Sequence, residues 1–149
     1  MLEKQESGVT MNDPKIIEEI LQNAKTVAVV GISNKPDRPS YHVALEMQRR
    51  GYQIVPVNPV LKEVLGEACY PSLREIPFPV DLVDVFRSPE FVPQIVDDAI
   101  AIGAKYLWLQ EGIVHPEAIA KAEANGIQVV ADLCFYKEHV RWMAGQPAH

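Results

Sequence analysis

Short apolar runs alternate with stretches of helical spacing along most of this chain. Thr26 to Val30, Gln53 to Val57, Val80 to Phe86, Lys105 to Leu109 and Ile127 to Ala131 are each a few residues long and rich in Val, Ile and Leu. They read as continuous apolar segments, which is how strands covered on both faces read. Between them the spacing becomes that of one-sided helices. Ile16, Ile17, Ile20, Leu21 and Ala24 share a face ahead of the first run, and Phe91, Val92, Ile95, Val96, Ala99 and Ile100 share one after the third. Further helices are predicted over about residues 40–50, from Pro116 to about Ala124, and from Phe135 to Met143, where an amphipathic stretch could cover the sheet edge or make a subunit contact. Strand, helix and strand in succession imply parallel pairing through right-handed crossovers, with helices on both faces. The expectation is an α/β protein, a doubly wound parallel sheet of five strands in a single three-layer domain, with Thr26–Val30 at its centre.

Helix-start and helix-stop residues set the bounds. Asn12 or Asp13 before Pro14 opens the first helix, Ser88-Pro89-Glu90 reads as N-cap, helix-start proline and early acid, and Gly103 and Asn125-Gly126 end two helices. Residues 60–78 are irregular, with room for a short strand near Ala68 to Tyr70 and one helical turn at Ser72 to Glu75. The expected organisation is a mobile arm over residues 1–12, the domain over 13–144 and a tail over 145–149.

Charge and composition narrow the classes of function. A formal net charge of −6 argues against general binding to nucleic acid or an anionic membrane surface, so an anionic ligand needs a local basic patch. The two cysteines, Cys69 and Cys134, form no disulfide framework and have no zinc-like spacing with histidine, and no metal site is expected. No apolar stretch approaches the roughly 20 residues of a membrane span, and the amino terminus lacks the apolar core of a signal peptide, which makes a cytoplasmic location the expectation.

In such a sheet ligands bind outside the carboxyl ends of the strands. The polar loop from Gly31 to Ser40 joins a strand to a helix there, and its backbone N–H groups, the helix start and Lys35 could all face a phosphate. Only Gly31 remains of the three glycines of a dinucleotide fingerprint. The second strand ends in Asn58-Pro59 where a ribose-gripping acid would stand, which disfavours NAD.

Val30-Gly31-Ile32-Ser33 with Arg38-Pro39-Ser40, then Val57-Asn58-Pro59, Asp84-Val85-Phe86-Arg87, and Trp108-Leu109-Gln110 followed by Gly112 come in order at strand ends. Together these segments resemble the coenzyme A binding domain family, the free-standing relatives of the amino-terminal domain of the succinyl-CoA synthetase alpha subunit. The resemblance covers about residues 20–143. It implies a Rossmann-like fold, coenzyme A (CoA) or an acyl-CoA as ligand and no catalytic domain. The ligand would lie against Gly31, Ile32, Ser33, Lys35, Ser40, Val57, Asn58, Pro59, Phe86, Arg87, Ser88, Pro89, Gln110 and Gly112. Relatives commonly carry Arg between the Asp and Cys of the last strand end, where this chain has Leu133.

Each residue also has a plainer reading. Lys35 and Arg87 are the favoured phosphate partners, with Arg38 and Lys62 as further local cations, yet any of them could be a solvated surface base. Ser33 and Ser40 suit phosphate donation or helix capping, Asn58 suits a hydrogen bond to ligand or a turn before proline, and Phe86 suits ligand stacking or sheet core. Cys134 could be a nucleophile with Asp132 and His139 as partners, but nothing in the spacing supplies a base, and a buried small hydrophobe is the better reading. The leading functional reading is a non-catalytic cytosolic CoA or acyl-CoA binding protein, possible as a homodimer or with a partner protein. The alternative is an enzyme, a small NAD(P)-binding oxidoreductase or a thioester-processing enzyme using Cys134.

Overall fold

The computed structural model describes residues 12–145. In chain order its regular elements are α1 (Pro14–Asn23), β1 (Thr26–Val30), α2 (Pro39–Arg49), β2 (Gln53–Val57), β3 (Glu63–Val64), β4 (Glu67–Ala68), β5 (Leu82–Val85), α3 (Val92–Ala101), β6 (Tyr106–Leu109), α4 (Pro116–Ala124), β7 (Gln128–Val130) and α5 (Phe135–Met143). Five of the strands form one parallel sheet in the order β2-β1-β5-β6-β7, and β3 with β4 make a small antiparallel hairpin beside it.

The doubly wound, Rossmann-like three-layer expectation holds, with one correction. β5 stands at the centre, and β1 lies one strand nearer the edge. After β2 the chain returns past β1 and adds β5 on its far side, and each later crossover continues the same way. The order therefore reverses at the β1–β5 boundary, the position where such sheets open a crevice.

Successive strand residues point to opposite faces, and both faces are covered. Ile17, Ile20, Val43, Met47 and Phe135 from α1, α2 and α5 pack on Val27, Val29, Leu82 and Trp108. Val92, Val96, Ile119 and Ala122 from α3 and α4 pack on Ala28, Val30, Val83, Val85 and Leu107. This is why the strands read as unbroken apolar runs. Burial of each large aliphatic side chain contributes about 1.5–3 kcal/mol before the entropy of ordering it. Pro56 lies inside β2, where it is tolerated because β2 is an edge strand.

Local chemistry sets the element ends. The Asp13 side chain caps α1 by accepting from the Lys15 N–H at 2.9 Å. His115 caps α4, its Nδ1 accepting from the Ala118 N–H at 3.1 Å. The start of α3 departs from expectation. Ser88 makes no side-chain capping bond, and Pro89–Phe91 form a tight 3₁₀ turn ahead of the helix. Pro93, in the first turn of α3, has no N–H with which to close an α-type bond back to Pro89, so the helix begins later. Phe91, expected on the buried face, is consequently exposed. In the irregular stretch, β4 ends at Ala68 and Tyr70 bridges to Val57, while a 3₁₀ turn occupies Leu73–Glu75. The predicted arm lies outside the described residues except for Asn12, whose side-chain amide exchanges two hydrogen bonds of 2.8 and 2.9 Å with the Ala131 backbone. Of the tail, only Gly145 is described, closing α5.

Candidate functional site at the carboxyl edge

All five strands end on one edge, and the loops that follow them build the site. Gly31 leaves β1 at φ +87°, and a β-carbon there would stand 2.6 Å from the Phe86 carbonyl oxygen and 2.8 Å from Arg87 Cδ. Only glycine lets the loop after β1 approach the loop after β5 so closely. The loop is then tied down internally. The Gly31 N–H donates to the Val57 carbonyl at 3.0 Å, the Ser33 N–H to Ser40 Oγ at 2.9 Å, and the Lys35 N–H to Ser33 Oγ at 3.0 Å. Among the described residues, the N–H groups of Ile32 and Asn34 take no such partner. Both residues line a recess of about 270 Å³ together with Gly31, Ser33, Arg38 and Asn58. Two free amides beside an arginine suit an anionic oxygen.

Several sequence-predicted contacts have structural occupations. The buried Ser40 hydroxyl holds the loop. Asn58 donates from Nδ2 to the Ile32 carbonyl at 2.9 Å and accepts at Oδ1 from the Val60 and Leu61 N–H groups at 2.8 and 3.2 Å, so it forms the turn and fixes the neighbouring loop. Val57 is buried, while Lys35 and Pro59 are exposed; none of the three lines the recess or the larger cavity beyond it. Of the two cations, Arg38 lines the recess and Lys35 does not.

The larger cavity, about 490 Å³, lies on the β5 and β6 side of Gly31. It gathers the predicted Phe86, Arg87, Ser88, Pro89, Gln110 and Gly112, and adds Pro39, Val43, Glu111, Ile113 and Cys134. The Arg87 guanidinium sits 3.8 Å above the centre of the Phe91 ring, a cation–π contact that orients the group while leaving its donors available. Neither Arg38 nor Arg87 has a carboxylate within ion-pair distance among the described residues. The cavity floor is braced from below. Gln110 Nε2 donates to Asp84 Oδ1 at 2.6 Å, and its Oε1 accepts from the Phe135 N–H at 3.4 Å. Asp132 at φ +62° accepts the Gly112 N–H at 2.6 Å, and the buried Trp108 Nε1 donates to the Leu133 carbonyl at 2.8 Å.

Two groups in this region have shifted acidities. Burial of Asp84 inside the sheet pushes its carboxyl up to about 7, with the Gln110 hydrogen bond acting in the opposite sense. Burial pushes the Cys134 thiol up as well, against the lowering effect of two backbone N–H groups. That favours the protonated thiol, a poor nucleophile. His139, a nominated partner for Cys134, lines a separate cavity at the opposite edge of the sheet, and Asp132 is occupied by Gly112. Among the described residues no group of His, Cys, Asp and Glu could hold a metal, and no helix is long and apolar enough to cross a membrane. Sequence reasoning missed Val43 and Ile113 as walls and Asp84 as a buried acid. Val43 follows Pro39 by one helical turn, and an acid inside the run Leu82-Val83-Asp84-Val85 was the readable signal for Asp84.

Residues 25–140 match the family model described as "CoA binding domain". The chain belongs to the CoA binding domain family. The uncharacterized protein YneT of Bacillus subtilis is 43% identical over 123 residues, covering 83% of this chain and 91% of YneT. The ADP-forming acetate–CoA ligase II of Archaeoglobus fulgidus is 31% identical over 83 residues, which are 54% of this chain but 12% of the ligase. Among solved structures, a hypothetical protein from Pyrococcus horikoshii OT3 superposes with a TM-score of 0.85 at 39% identity, covering 96% of this chain and 99% of its own. The chain thus matches small relatives over most of both lengths, and the matched part corresponds to 12% of the ligase.

Proposed function

We propose that this protein binds CoA or an acyl-CoA along the carboxyl edge and performs no chemistry on it. One observation carries the reading: the crevice at the β1–β5 reversal places two amides without a hydrogen-bond partner and two arginines without a carboxylate partner among the described residues at an edge of a protein whose net charge is −6. CoA is a polyanion with a long, largely apolar arm. Its phosphates suit the Ile32 and Asn34 N–H groups, Arg38 and Arg87. Its pantetheine arm suits the cavity walled by Val43, Phe86, Ile113 and Cys134. The protonated thiol supports a binding role over turnover, and Glu111, the carboxylate that shares its cavity, is paired with Lys137 at 3.1 Å. A cytoplasmic location, where CoA is plentiful, completes the proposal.

Calorimetry with CoA tests it. Arg38→Ala and Arg87→Ala should each weaken binding by about 1.5–3 kcal/mol, the range for hydrogen bonds to charged groups. Purified protein should turn over neither acyl-CoA thioesters nor nicotinamide cofactors. Unchanged affinity in both variants would remove these arginines from the site, and turnover lost in Cys134→Ser would replace the binding reading with an enzymatic one.

A further inference from the structure

At the opposite edge of the sheet, where β1 and β2 begin, lies a cavity of about 440 Å³ that the carboxyl-edge site does not use. One wall is aromatic. His139 meets the Tyr52 ring edge-on at 5.6 Å between centres and the Trp142 ring at 5.5 Å. Leu21 and Met143 add apolar surface, and the Tyr52 hydroxyl fixes its own ring by donating to the Leu21 carbonyl. Two cations, Lys25 and Arg50, border the same space, and neither has a carboxylate within ion-pair distance among the described residues.

The polar end is defined by one contact. Arg50 Nη1 lies 3.3 Å from His139 Nδ1. A guanidinium only donates, so Nδ1 is the acceptor and the ring proton resides on Nε2. Burial, and then the charge of Arg50, lower the pKa of His139, which keeps the ring neutral. The Arg50 guanidinium lies 5.0 Å from the centre of the Tyr136 ring and spends one nitrogen on His139, which leaves further N–H donors to offer. His139 is 5% exposed, and its Nε2–H takes no acceptor among the described residues. Donors with positive charge beside aromatic and aliphatic walls describe a receptor for an amphipathic anion.

We infer that this amino-edge cavity is a second ligand site, for a small monocarboxylate with an aromatic or branched apolar body. The carboxylate is held by Arg50 and Lys25, and the apolar body lies against Tyr52, Trp142 and Met143. The site is independent of the CoA reading, because it shares no residue with the carboxyl-edge cavities.

The test is a backbone and indole amide NMR titration of the full-length protein with phenylacetate, with 2-phenylethanol and inorganic phosphate as separate arms. Phenylacetate should shift Gly51, Tyr52, His139 and the Trp142 indole N–H and leave Gly112 unmoved. Arg50→Gln, at an exposed position whose fold the same spectrum verifies, should weaken binding by about tenfold or more, and Lys25→Gln should weaken it in the same direction. Failure of phenylacetate to shift these signals would overturn the inference. So would equal binding of the neutral alcohol, which would take the cations out of the site, or shifts with phosphate alone, which would take out the apolar wall. None of these outcomes bears on CoA binding at the other edge.

Discussion

Asp84 is a carboxyl group in the central strand, 1% exposed, with Gln110 as its side-chain hydrogen-bond partner. Its folded pKa is about 7 against an ordinary 3.8, so the folded state holds the proton more tightly than the unfolded chain does. The stabilising contribution of the bound proton is complete below about pH 4 and is lost as pH rises through about 7, a loss of about 4 kcal/mol for a shift of this size. An asparagine at this position would mimic the protonated acid and still accept from Gln110. Asp84→Asn should therefore raise the melting temperature at pH 8, with the gain falling to roughly a third at pH 5 and vanishing only below about pH 4. A variant equally destabilised at pH 8 and pH 5 would show that the carboxylate has partners beyond Gln110. Asn58 teaches the complementary lesson. Its residue type suggested a ligand contact, and the turn reading open beside it is the one the structure shows, because all its hydrogen bonds with named partners go to the loops around it.

At the scale of elements, the site depends on how the loops after β6 and β7 are fastened to each other. Asp132 does this from a left-handed backbone conformation, which costs a residue with a β-carbon about 1–2 kcal/mol. Its compensation is the bond to the Gly112 N–H. Asp132→Gly removes the bond and relieves the backbone, whereas Asp132→Ala removes the bond and keeps the strain. Urea unfolding should find the alanine variant less stable than the glycine variant by about 1 kcal/mol. Equal stabilities would mean that the backbone at this position relaxes without cost. Apolar periodicity made all five sheet strands and all five helices legible in the sequence, since covered strands and one-sided helices differ in period. The start of α3 was not legible, because the Ser88-Pro89 signal is local while the deciding residue, Pro93, acts by the bond it cannot make. The β3–β4 hairpin was only half visible, its turn lying at Leu65 and Gly66, both at positive φ.

For the whole molecule, the order of strands was the part that local pattern could not supply. Periodicity says that β1 and β5 are strands, and only the path of the chain between β2 and β5 makes them neighbours and opens the crevice between their loops. The predicted segments nevertheless reached that crevice, because every one of them lies at the carboxyl end of a strand and parallel strands bring those ends together. Within them, residue type alone did not separate the groups that line the cavities, such as Arg87 and Gln110, from those that only shape the loops, such as Ser40. The most direct test of the central claim is a crystal structure of the protein grown with CoA. The account predicts phosphate density beside the Ile32 and Asn34 amides within reach of Arg38 or Arg87, and the pantetheine arm between Phe86 and Gln110. CoA seated at the amino edge, or on the face of α3 and α4 away from Gly31, would contradict it.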